Sequence, residues 1–412
     1  MRLLYLTSLY SAYIQQFYAA RPGLAQQPYQ MQKAALDEDA FGWGDFWGHA
    51  LAPLGYQVTE VLANVKPLQR AWAQERGVPW RAESWLLDLP RAQVERFRPD
   101  ILFLDDFSTF SAAWLSELRQ AAPGLRLTLG WCGAPYQDAS VFQGYDAVLS
   151  CIPEMAAQFK AMGHRSHHLH HAFEPRILAR LGEAGEPDIP VSFVGSLNRG
   201  REAHRDREEL LLALSRQTPV QIFTPNLDLG LGAQLGTLGR GLLYRGMAAA
   251  KGAGAPAAWL ARLPLVGRAA TWTFRPLAAV HPGLKPLARP GVFGLEMYRL
   301  LRRSQVTLNH HIALSAHSAS NMRLFEATGV GACLLTDWKD NLAELFEPEQ
   351  EVATYRSHAE CVEKVQWLLR NPQARQAMAK AGQTRTLRCH TFAHRAPRLD
   401  EIIRQELRRQ AA

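Results

Sequence analysis

The sequence has no uninterrupted apolar stretch long enough to cross a bilayer as a helix. Its five cysteines are scattered and odd in number, which excludes a disulfide framework and is typical of reduced thiols in a cytosol. A G-x-G-x-x-G motif, the signature of dinucleotide-binding Rossmann domains, does not follow the first predicted strand, residues 3–7. These absences favour a cytoplasmic protein without a dinucleotide cofactor.

Asp and Glu are also absent from residues 229–295, which contain eight Lys and Arg. Because the net charge of the whole chain is +8, the basic character lies in this segment. Its Leu- and Trp-containing patches alternate with cations, which favours contact with a membrane surface, here the inner face of the membrane. A basic lid over an anionic substrate and partial disorder are the alternatives. No nucleic-acid motif occurs, so no nucleic-acid partner is expected.

Short apolar strands alternate with amphipathic helices along both halves of the 412 residues, which predicts an α/β protein with parallel sheets. The predicted strands are residues 3–7, 57–61, 101–104, 125–129, 147–150, 191–194, 220–223, 306–308 and 333–336. The predicted helices are residues 44–54, 91–97, 112–122, 153–162, 208–216, 296–303, 359–370, 372–387 and 396–409.

Two such halves joined by one linker imply a cleft between two sheets. We predict a first domain over residues 1–174, a linker over 175–190 that is rich in Pro, Gly and charge, and a second domain over 191–395. Residues 229–295 are an insertion in the second domain. Residues 396–412 form a C-terminal helix.

The most informative stretch is residues 321–337, in which a helix pattern begins at Asn321 and is followed by glycines and an apolar strand. A helix start offers free backbone N–H groups to an anion. Glu326, one turn further along, can accept hydrogen bonds from a pair of hydroxyls, and Arg323 lies near the same face. This combination suits a nucleotide, with its diphosphate on one side and its ribose on the other. The alternative is a surface helix with an i,i+3 ion pair.

A second candidate anion site is the glycine turn at Gly195 and Ser196, which follows strand 191–194 and precedes Arg205 and Arg207. Glycine lets the backbone approach a phosphate, and guanidinium groups can bind its oxygens in a forked geometry. The alternative is a solvated, Arg-rich loop.

Polar residues that follow two of the predicted strands could face the cleft. Asp106, together with Asp105, directly follows strand 101–104, and the carboxyl ends of parallel strands line the binding crevice of open sheets. Asn309 and His311 follow strand 306–308 in the same way. The alternatives are a turn cap for the carboxylates and a structural hydrogen bond for the imidazole.

His171 ends a histidine-rich stretch, residues 164–171, beside the predicted linker. Without a Cys or carboxylate at ligand spacing, no metal site is expected there. The side chain of His171 is expected in the cleft, so His171 and Asp106 are the candidate catalytic residues.

Residues 8–29 are rich in Tyr and Gln. Aromatic rings stack on sugar faces and amides pair with hydroxyls, so Tyr10, Tyr13 and Gln16 are candidates for binding a polyhydroxylated acceptor. The alternative is an ordinary ordered loop.

Taken together, these motifs resemble the GT-B glycosyltransferases, and most closely a family 1/family 4-like set that includes CgeB-type proteins. The resemblance rests on Gly195-Ser196 followed by arginines, Asn309-His310-His311, residues 321–331, Leu335-Thr336-Asp337, Glu344-Leu345-Phe346-Glu347, Glu351-Val352, His390-Thr391-Phe392 with Arg395, and, in the first half, residues 68–77 and 131–135. It covers most of the chain except the basic insertion.

The resemblance implies two Rossmann-like domains facing across a cleft and a metal-independent, retaining hexosyltransferase of cell-surface polysaccharide or glycoconjugate synthesis. A nucleotide-diphosphate sugar would be the co-substrate and a glycan or lipid-linked molecule the acceptor, with no other cofactor. Glu326 matches the second glutamate of the E-x7-E motif, which holds the ribose, and Arg205 or Arg207 would neutralise the diphosphate. The first glutamate is replaced by Ser318, which leaves retention and inversion both open.

The residues implied to bind the donor are Gly195, Ser196, Arg205, Arg207, Asn309, His311, Asn321, Arg323, Glu326, Thr328, Gly329 and Gly331. A catalytically inactive nucleotide- or sugar-binding protein on the same fold is the alternative function, favoured by Ser318.

Overall fold

The structure is a computed structural model that describes residues 1–136, 138–183, 185–197, 204–225, 227, 231–263, 266–271 and 280–411. Its strands are β1 (Arg2–Thr7), β2 (Gln57–Leu62), β3 (Ile101–Leu104), β4 (Leu127–Trp131), β5 (Ala147–Ser150), β6 (Ser166–His168), β7 (Ile189–Val194), β8 (Val220–Thr224), β9 (Ala288–Pro290), β10 (Ser304–Asn309), β11 (Leu334–Asp337) and β12 (Ala353–Tyr355).

The helices of the first half are α1 (Ser11–Ala19), α2 (Tyr29–Asp39), α3 (Phe46–Leu51), α4 (Lys66–Arg76), α5 (Trp85–Phe97), α6 (Ala112–Ala121), α7 (Pro153–Ala161) and α8 (Arg176–Leu181). Those of the second half are α9 (Arg205–Ser215), α10 (Leu231–Gly252), α11 (Ala257–Leu260), α12 (Gly294–Arg303), α13 (Met322–Gly329), α14 (Leu342–Leu345), α15 (His358–Arg370), α16 (Pro372–Cys389) and α17 (Phe392–Ala411).

The described strands form two six-stranded sheets, and every pairing in them is parallel. The first sheet has the order β2-β1-β3-β4-β5-β6, and the second has the order β12-β11-β10-β7-β8-β9. β3 and β5 are buried along their whole length, as expected for parallel strands covered by helices on both faces. The predicted α/β fold with two Rossmann-like halves is therefore confirmed.

The C-terminal helix α17 returns to the first half of the chain. It packs on α3, and Leu399 and Ile403 belong to the same hydrophobic core as β1. The Tyr56 hydroxyl donates to Asp400 Oδ1 at 2.6 Å. The C-terminal helix predicted from residue 396 thus begins four residues earlier and contributes to the core of the first sheet.

The segment 175–190 is not an irregular linker throughout. It contains α8 and the start of β7, because Ile177 and Leu181 are apolar residues four apart that are buried against the core. Arg302 of α12 donates to the backbone oxygens of Leu181 and Gly182, at 2.7 and 2.9 Å. This segment is therefore fixed to the second half. Ala184 within it lies outside the described residues.

The basic segment 229–295 divides into two parts, apart from residues 229–230, 264–265 and 272–279, which lie outside the described chain. From Val280 onward it belongs to the second half, because Val280, Leu284 and Ala288 join the second core and β9 pairs with β8. α10, α11 and a 3-10 helix at Gly267–Thr271 form a separate unit, described below.

Candidate functional site

A cavity of about 460 Å³ lies between the carboxyl edges of the two sheets. This volume is ordinary for a small-molecule site, and open α/β sheets bind ligands at these edges. One wall comes from the first half and includes Thr7, Tyr10, Trp43, Asp105, Trp131 and His171. The opposite wall includes Gly195, Arg207, Asn309, His310, Asn321, Arg323 and Glu326.

Glu326 brings a buried carboxylate to the second wall, where only 6% of the residue is exposed. It lies in α13, just over one turn after the N-cap residue Asn321. Arg323 Nη1 is 2.7 Å from Glu326 Oε2, and the Tyr298 hydroxyl donates to Oε1 at 3.5 Å. The i,i+3 ion pair considered from the sequence therefore exists, but it lies inside the cleft and not on an exposed helix face.

Arg207 places a second guanidinium group on the same wall. Its Nη1 and Nη2 donate to the backbone oxygens of Ser196 and His310, at 3.1 and 2.5 Å. Burial lowers the pKa of Arg207 to about 10, so the side chain stays cationic at neutral pH. Its hydrogen bonds go to neutral backbone oxygens and its guanidinium lies 5.5 Å from the ring centre of Phe193, while the charge of Asp337 opposes the effect of burial on its pKa. A partly buried cation whose hydrogen bonds go to neutral oxygens is well suited to an anionic ligand.

Both cleft arginines also retain an unused donor. The Nε atoms of Arg207 and Arg323 are buried and have no hydrogen-bond partner within the described part of the chain. Leaving a buried donor unpaired is costly, roughly 1–3 kcal/mol for each group. Such groups are expected where a ligand completes the hydrogen bonding.

The other residues of the predicted glycine turn differ in whether they lie at the cavity. Gly195 lines the cavity, whereas Ser196 contributes its backbone oxygen to Arg207. Arg205 is exposed and pairs with Glu209 at 3.0 Å on the same helix, α9. Arg207, and not Arg205, is therefore the arginine of this turn that lies in the cleft. Arg199 and Arg201, which lie between the glycine turn and α9, are outside the described residues.

Two asparagines link β10 to the start of α13. Asn309 Nδ2 donates to Thr336 Oγ1 at 3.0 Å, and Asn309 Oδ1 accepts from Asn321 Nδ2 at 2.9 Å. Both asparagines line the cavity. The link fixes the N-terminus of α13 against the carboxyl edge of the second sheet.

His311 lies just behind the cavity wall and supports it. Its Nδ1 is 2.7 Å from Asp337 Oδ1, and its Nε2 accepts a hydrogen bond from the backbone N–H of Ser320 at 3.2 Å. Burial lowers the pKa of His311 against the opposing effect of Asp337, which agrees with a neutral ring that donates through Nδ1. His311 therefore positions the segment leading into α13.

His310, which the sequence grouped with Asn309 and His311 but which was not among the predicted donor-binding residues, is the histidine of this pair that lines the cavity. Its Nδ1 is 2.9 Å from the Tyr355 hydroxyl, and its Nε2 is 2.8 Å from Asp206 Oδ2. The alternation of the strand could not predict which of His310 and His311 faces the cavity, because both follow the last residue of β10.

Thr328, Gly329 and Gly331 are not part of the cavity wall and have packing roles. Thr328 Oγ1 donates to the Leu324 backbone oxygen at 2.6 Å. A Cβ atom on Gly329 would lie 2.4 Å from the ring of Phe173, and Gly331 has a φ of +80° just after α13. The donor-binding assignment of these three residues therefore gains no support from their positions.

Asp105, and not Asp106, is the aspartate that lines the cavity. Its Oδ2 accepts a close hydrogen bond from the Tyr5 hydroxyl and another from Thr7 Oγ1 at 2.9 Å. Burial raises the pKa of Asp105 to about 7 despite these two bonds. Asp106 caps a turn, because its Oδ1 accepts from the backbone N–H of Thr109 at 3.0 Å.

His171 lies in the first wall, as predicted, between two tryptophans that sequence reasoning missed. Its ring centre is 5.2 Å from that of Trp131 and 5.9 Å from that of Trp43. Burial lowers the pKa of His171 to about 3, with a further contribution from Arg395, so the ring is neutral. Nδ1 of His171 is buried without a hydrogen-bond partner among the described residues.

The three acceptor candidates have different surroundings. Tyr10 lines the cavity, and 62% of the residue is exposed. Tyr13 is buried, with its hydroxyl donating to Asp39 Oδ2 at 3.0 Å. Gln16 lies on an exposed face of α1, away from the cavity wall. α1 begins at Ser11, so of the three only Tyr10, which precedes the helix, lies at the cavity.

Ser318, at the position of the first motif glutamate, lies outside the cavity wall. Its Oγ donates to Glu154 Oε1 at 2.8 Å. Glu154 lies in α7, so this bond joins the two halves across the cleft.

No group of three or more His, Cys, Asp or Glu side chains is placed to hold a metal ion in the described residues. The same residues contain no helix that combines the length and apolarity needed to span a bilayer.

A family model described as "Glycosyl transferase-like" matches residues 252–401, which include α12, α13 and Glu326. No curated protein sequence matches the chain.

Solved structures resemble the whole chain. HepE from Anabaena in complex with UDP-glucose superposes with a TM-score of 0.54 at 10% identity, over 98% of this chain and 100% of that one. Sucrose-phosphate synthase from Thermosynechococcus elongatus gives 0.51 at 12% identity, over 98% and 99%. AviGT4, a glycosyltransferase involved in avilamycin A biosynthesis, gives 0.51 at 12% identity, over 99% and 98%. The fold is therefore that of the GT-B glycosyltransferases.

Proposed function

We propose that this protein is a glycosyltransferase that moves a sugar from a nucleotide-diphosphate sugar to a hydroxyl of a glycan or lipid-linked acceptor. The observation that carries the proposal is the composition of one cavity wall. It combines a partly buried cation, Arg207, with the carboxylate–guanidinium pair of Glu326 and Arg323, opposite a wall that carries Asp105.

The diphosphate of the donor would lie beside Arg207 and the N-terminus of α13. Arg207 stays cationic and has an unpaired Nε, and free backbone N–H groups at a helix start add a partial positive charge. These groups stabilise the negative charge that develops on the diphosphate as it leaves. Arg207 and the N-terminus of α13 would thus provide the charge stabilisation that a metal ion provides in other enzymes. Our prediction of metal-independent transfer rests on this.

Glu326 would bind the ribose hydroxyls through its two carboxylate oxygens. Arg323 Nη1, 2.7 Å from Glu326 Oε2, holds the carboxylate in a fixed orientation. Among the bases, uridine is the first to test, because HepE of similar fold was solved with UDP-glucose.

The acceptor would enter between the donor and the first wall, where Tyr10, Trp131 and His171 offer rings and a neutral imidazole. In the reaction, the acceptor oxygen bonds to the anomeric carbon of the sugar while the bond from that carbon to the diphosphate oxygen breaks. The proton of the acceptor hydroxyl would pass to Asp105, whose raised pKa, about 7, suits a general base at neutral pH.

A base on the acceptor side favours inversion, whereas the resemblance to proteins with the complete E-x7-E motif favours retention. Ser318 replaces the first glutamate of that motif, so the stereochemistry of the product decides between the two routes. The closer relationship to CgeB-type proteins and a role in cell-surface polysaccharide or glycoconjugate synthesis in the cytoplasm stay predictions.

The second candidate function is a nucleotide- or sugar-binding protein without transfer activity. The bond from Ser318 to Glu154 favours it, since the position of the first motif glutamate is occupied by a side chain that joins the two halves. Both candidates predict binding of a nucleoside diphosphate, but only the first predicts loss of the sugar from the donor.

The test first measures the melting temperature of the protein with UDP, GDP, dTDP, CDP and ADP, each as the free nucleotide and as its common nucleotide sugars. It then measures hydrolysis of the nucleotide sugar that raises the melting temperature most. A ligand that binds only the folded state raises the melting temperature by mass action. Stabilisation by one base, with release of its sugar over time, supports the glycosyltransferase. Stabilisation without any sugar release supports the binding protein, and a panel without any stabilisation contradicts both.

A further inference from the structure

The unit formed by α10, α11 and the 3-10 helix at Gly267–Thr271 has a small core of its own. Met247 and Leu260 pack there with Ala269 and Ala270, separately from the cores of the two sheets. Lys251 donates a close hydrogen bond to the backbone oxygen of Ala270 and joins α10 to the 3-10 helix. One face of α10 is thus buried, and the opposite face is available to a partner.

That opposite face carries a strip of exposed leucines. Leu235, Leu238 and Leu242 are 66%, 62% and 67% exposed, and their spacing of three and four residues places them on one side of the helix. Trp259, in the neighbouring α11, is 59% exposed. Single exposed apolar residues are common, but an aligned strip of large ones marks a binding surface. We call Leu235, Leu238 and Leu242 the leucine strip.

The charge around the leucine strip is of one sign. Residues 231–295 contain no Asp or Glu, and the exposed cations Arg245 and Arg262 lie in the same unit as the strip. A second copy of the chain packed on this strip would bring like charges together. An anionic lipid bilayer complements both features, because its headgroups are negatively charged and its interior is apolar.

The composition of α10 agrees with a helix that gains stability from contact. Six of its 22 residues are glycines, and each glycine inside a helix costs about 1 kcal/mol relative to alanine in water. Backbone N–H and C=O groups that are not paired within a helix cost more free energy at a bilayer interface than in water. Contact with a bilayer therefore favours the helical form of α10.

We propose that the leucine strip docks on the surface of an anionic lipid bilayer, with Arg245 and Arg262 facing the headgroups. The unit leaves the second sheet at the carboxyl end of β8, and the chain returns through β9 to Met297 in the cavity wall. Because the carboxyl edge of the second sheet borders the cleft, docking of the unit would bring the bilayer to this side of the protein. If the proposed function holds, this position presents the cleft to a lipid-linked acceptor.

The experiment is cosedimentation of the full chain with phosphatidylcholine vesicles, with and without phosphatidylglycerol. Binding is expected with the anionic vesicles and is expected to weaken as salt screens the charges. The triple variant Leu235→Ser, Leu238→Ser, Leu242→Ser should bind at least roughly tenfold more weakly, because each leucine loses apolar contact. The double variant Arg245→Gln, Arg262→Gln should lose roughly fivefold for each cation removed.

The matched control is the triple variant Leu54→Ser, Leu87→Ser, Met162→Ser, which changes three exposed apolar residues of the first half. It should bind vesicles like the wild type. Equal binding by both triple variants, or no binding of the wild type to anionic vesicles, would overturn the proposal. A dimer seen by light scattering, and lost in the strip variant alone, would assign the strip to a second copy.

The vesicle measurement needs no nucleotide, so its failure is distinguishable from a failure of the proposed function. The charge variant keeps the apolar core of the unit and serves as the second test if the strip variant does not fold.

Discussion

Arg323 and Glu326 form a 2.7 Å ion pair within one helix, and both side chains line the cleft between the two sheets. An i,i+3 pair on a helix surface contributes little to stability, but in this one the side chains of Arg323 and Glu326 are only 16% and 8% exposed. Its position gives the pair a second role, because a ligand entering the cleft meets a carboxylate whose orientation is already fixed by Arg323.

Replacing Glu326 by Gln should weaken the binding of UDP or of whichever nucleotide the stability panel identifies. Hydrogen bonds to a charged group are worth roughly 1.5–3 kcal/mol, which corresponds to about a tenfold to hundredfold loss of affinity. Titration calorimetry measures it, with the exposed Glu347→Gln as the control. A folded Glu326→Gln protein with the affinity of the wild type would remove Glu326 from the donor site.

Arg207 and Arg205 lie two residues apart on α9 and provide a matched pair. Arg207→Lys keeps a charge but loses the forked guanidinium, so the preference for UDP over uridine should fall at least roughly tenfold. Arg205→Lys should leave that preference unchanged, because Arg205 is exposed and pairs with Glu209. An equal effect of the two substitutions on the UDP-to-uridine affinity ratio would contradict the assignment of Arg207 to the diphosphate.

Asp105 should control how transfer depends on pH. Because its pKa is raised to about 7, the carboxylate able to accept a proton is the major form only above that pH. We therefore expect kcat/KM to rise with pH through about 7 in the wild type. Asp105→Asn should lower kcat by roughly a hundredfold or more and remove this limb, since the amide does not titrate.

The control for this measurement is Asp106→Asn, whose carboxylate caps a turn. It should keep the limb near pH 7. A wild-type profile that is flat across this range, or an Asp105→Asn profile that keeps its limb, would rule out Asp105 as the base.

Gly329 should matter for stability and not for donor binding. A methyl group there would lie 2.4 Å from the ring of Phe173, so Gly329→Ala should lower the free energy of unfolding by roughly 1–3 kcal/mol. The affinity of the folded variant for the nucleotide should not change. Urea denaturation and calorimetry measure the two quantities.

Gly246→Ala is the comparison for Gly329→Ala, because an added Cβ at Gly246 meets no atom within 4 Å. It should raise helix stability by up to about 1 kcal/mol. If Gly329→Ala weakened nucleotide binding as strongly as Glu326→Gln, the donor-binding role implied by the family resemblance would be supported after all.

The fold was predictable because its strands are short, apolar and buried on both faces. Strands such as β3 and β5 were predicted with their observed bounds. α8 was missed because the prolines and charges around it resemble a linker, although Ile177 and Leu181 already showed helical spacing. α1 was missed as well, since its Tyr- and Gln-rich sequence has little apolar contrast between its faces.

The candidate site was predictable where a residue is fixed by its position next to a strand or at a helix start. Arg207, Glu326 and His171 reach the cavity for that reason. Trp43 could not be found, because it reaches the cavity from a loop between two helices and depends on tertiary packing with Trp131. The choice of Asp105 over Asp106 likewise depends on the side chains of Tyr5 and Thr7, 98 or more residues away in sequence.

The return of α17 to the first sheet has a consequence for how the chain matures during synthesis. Asp400 and Glu406 form hydrogen bonds with Tyr56 and His167 of the first half. The apolar face of α17 fills part of the core around β1. The first half therefore leaves the ribosome well before the helix that closes its core. Until residues 392–411 emerge, its sheet presents an unfilled apolar surface, which is the kind of surface that molecular chaperones recognise.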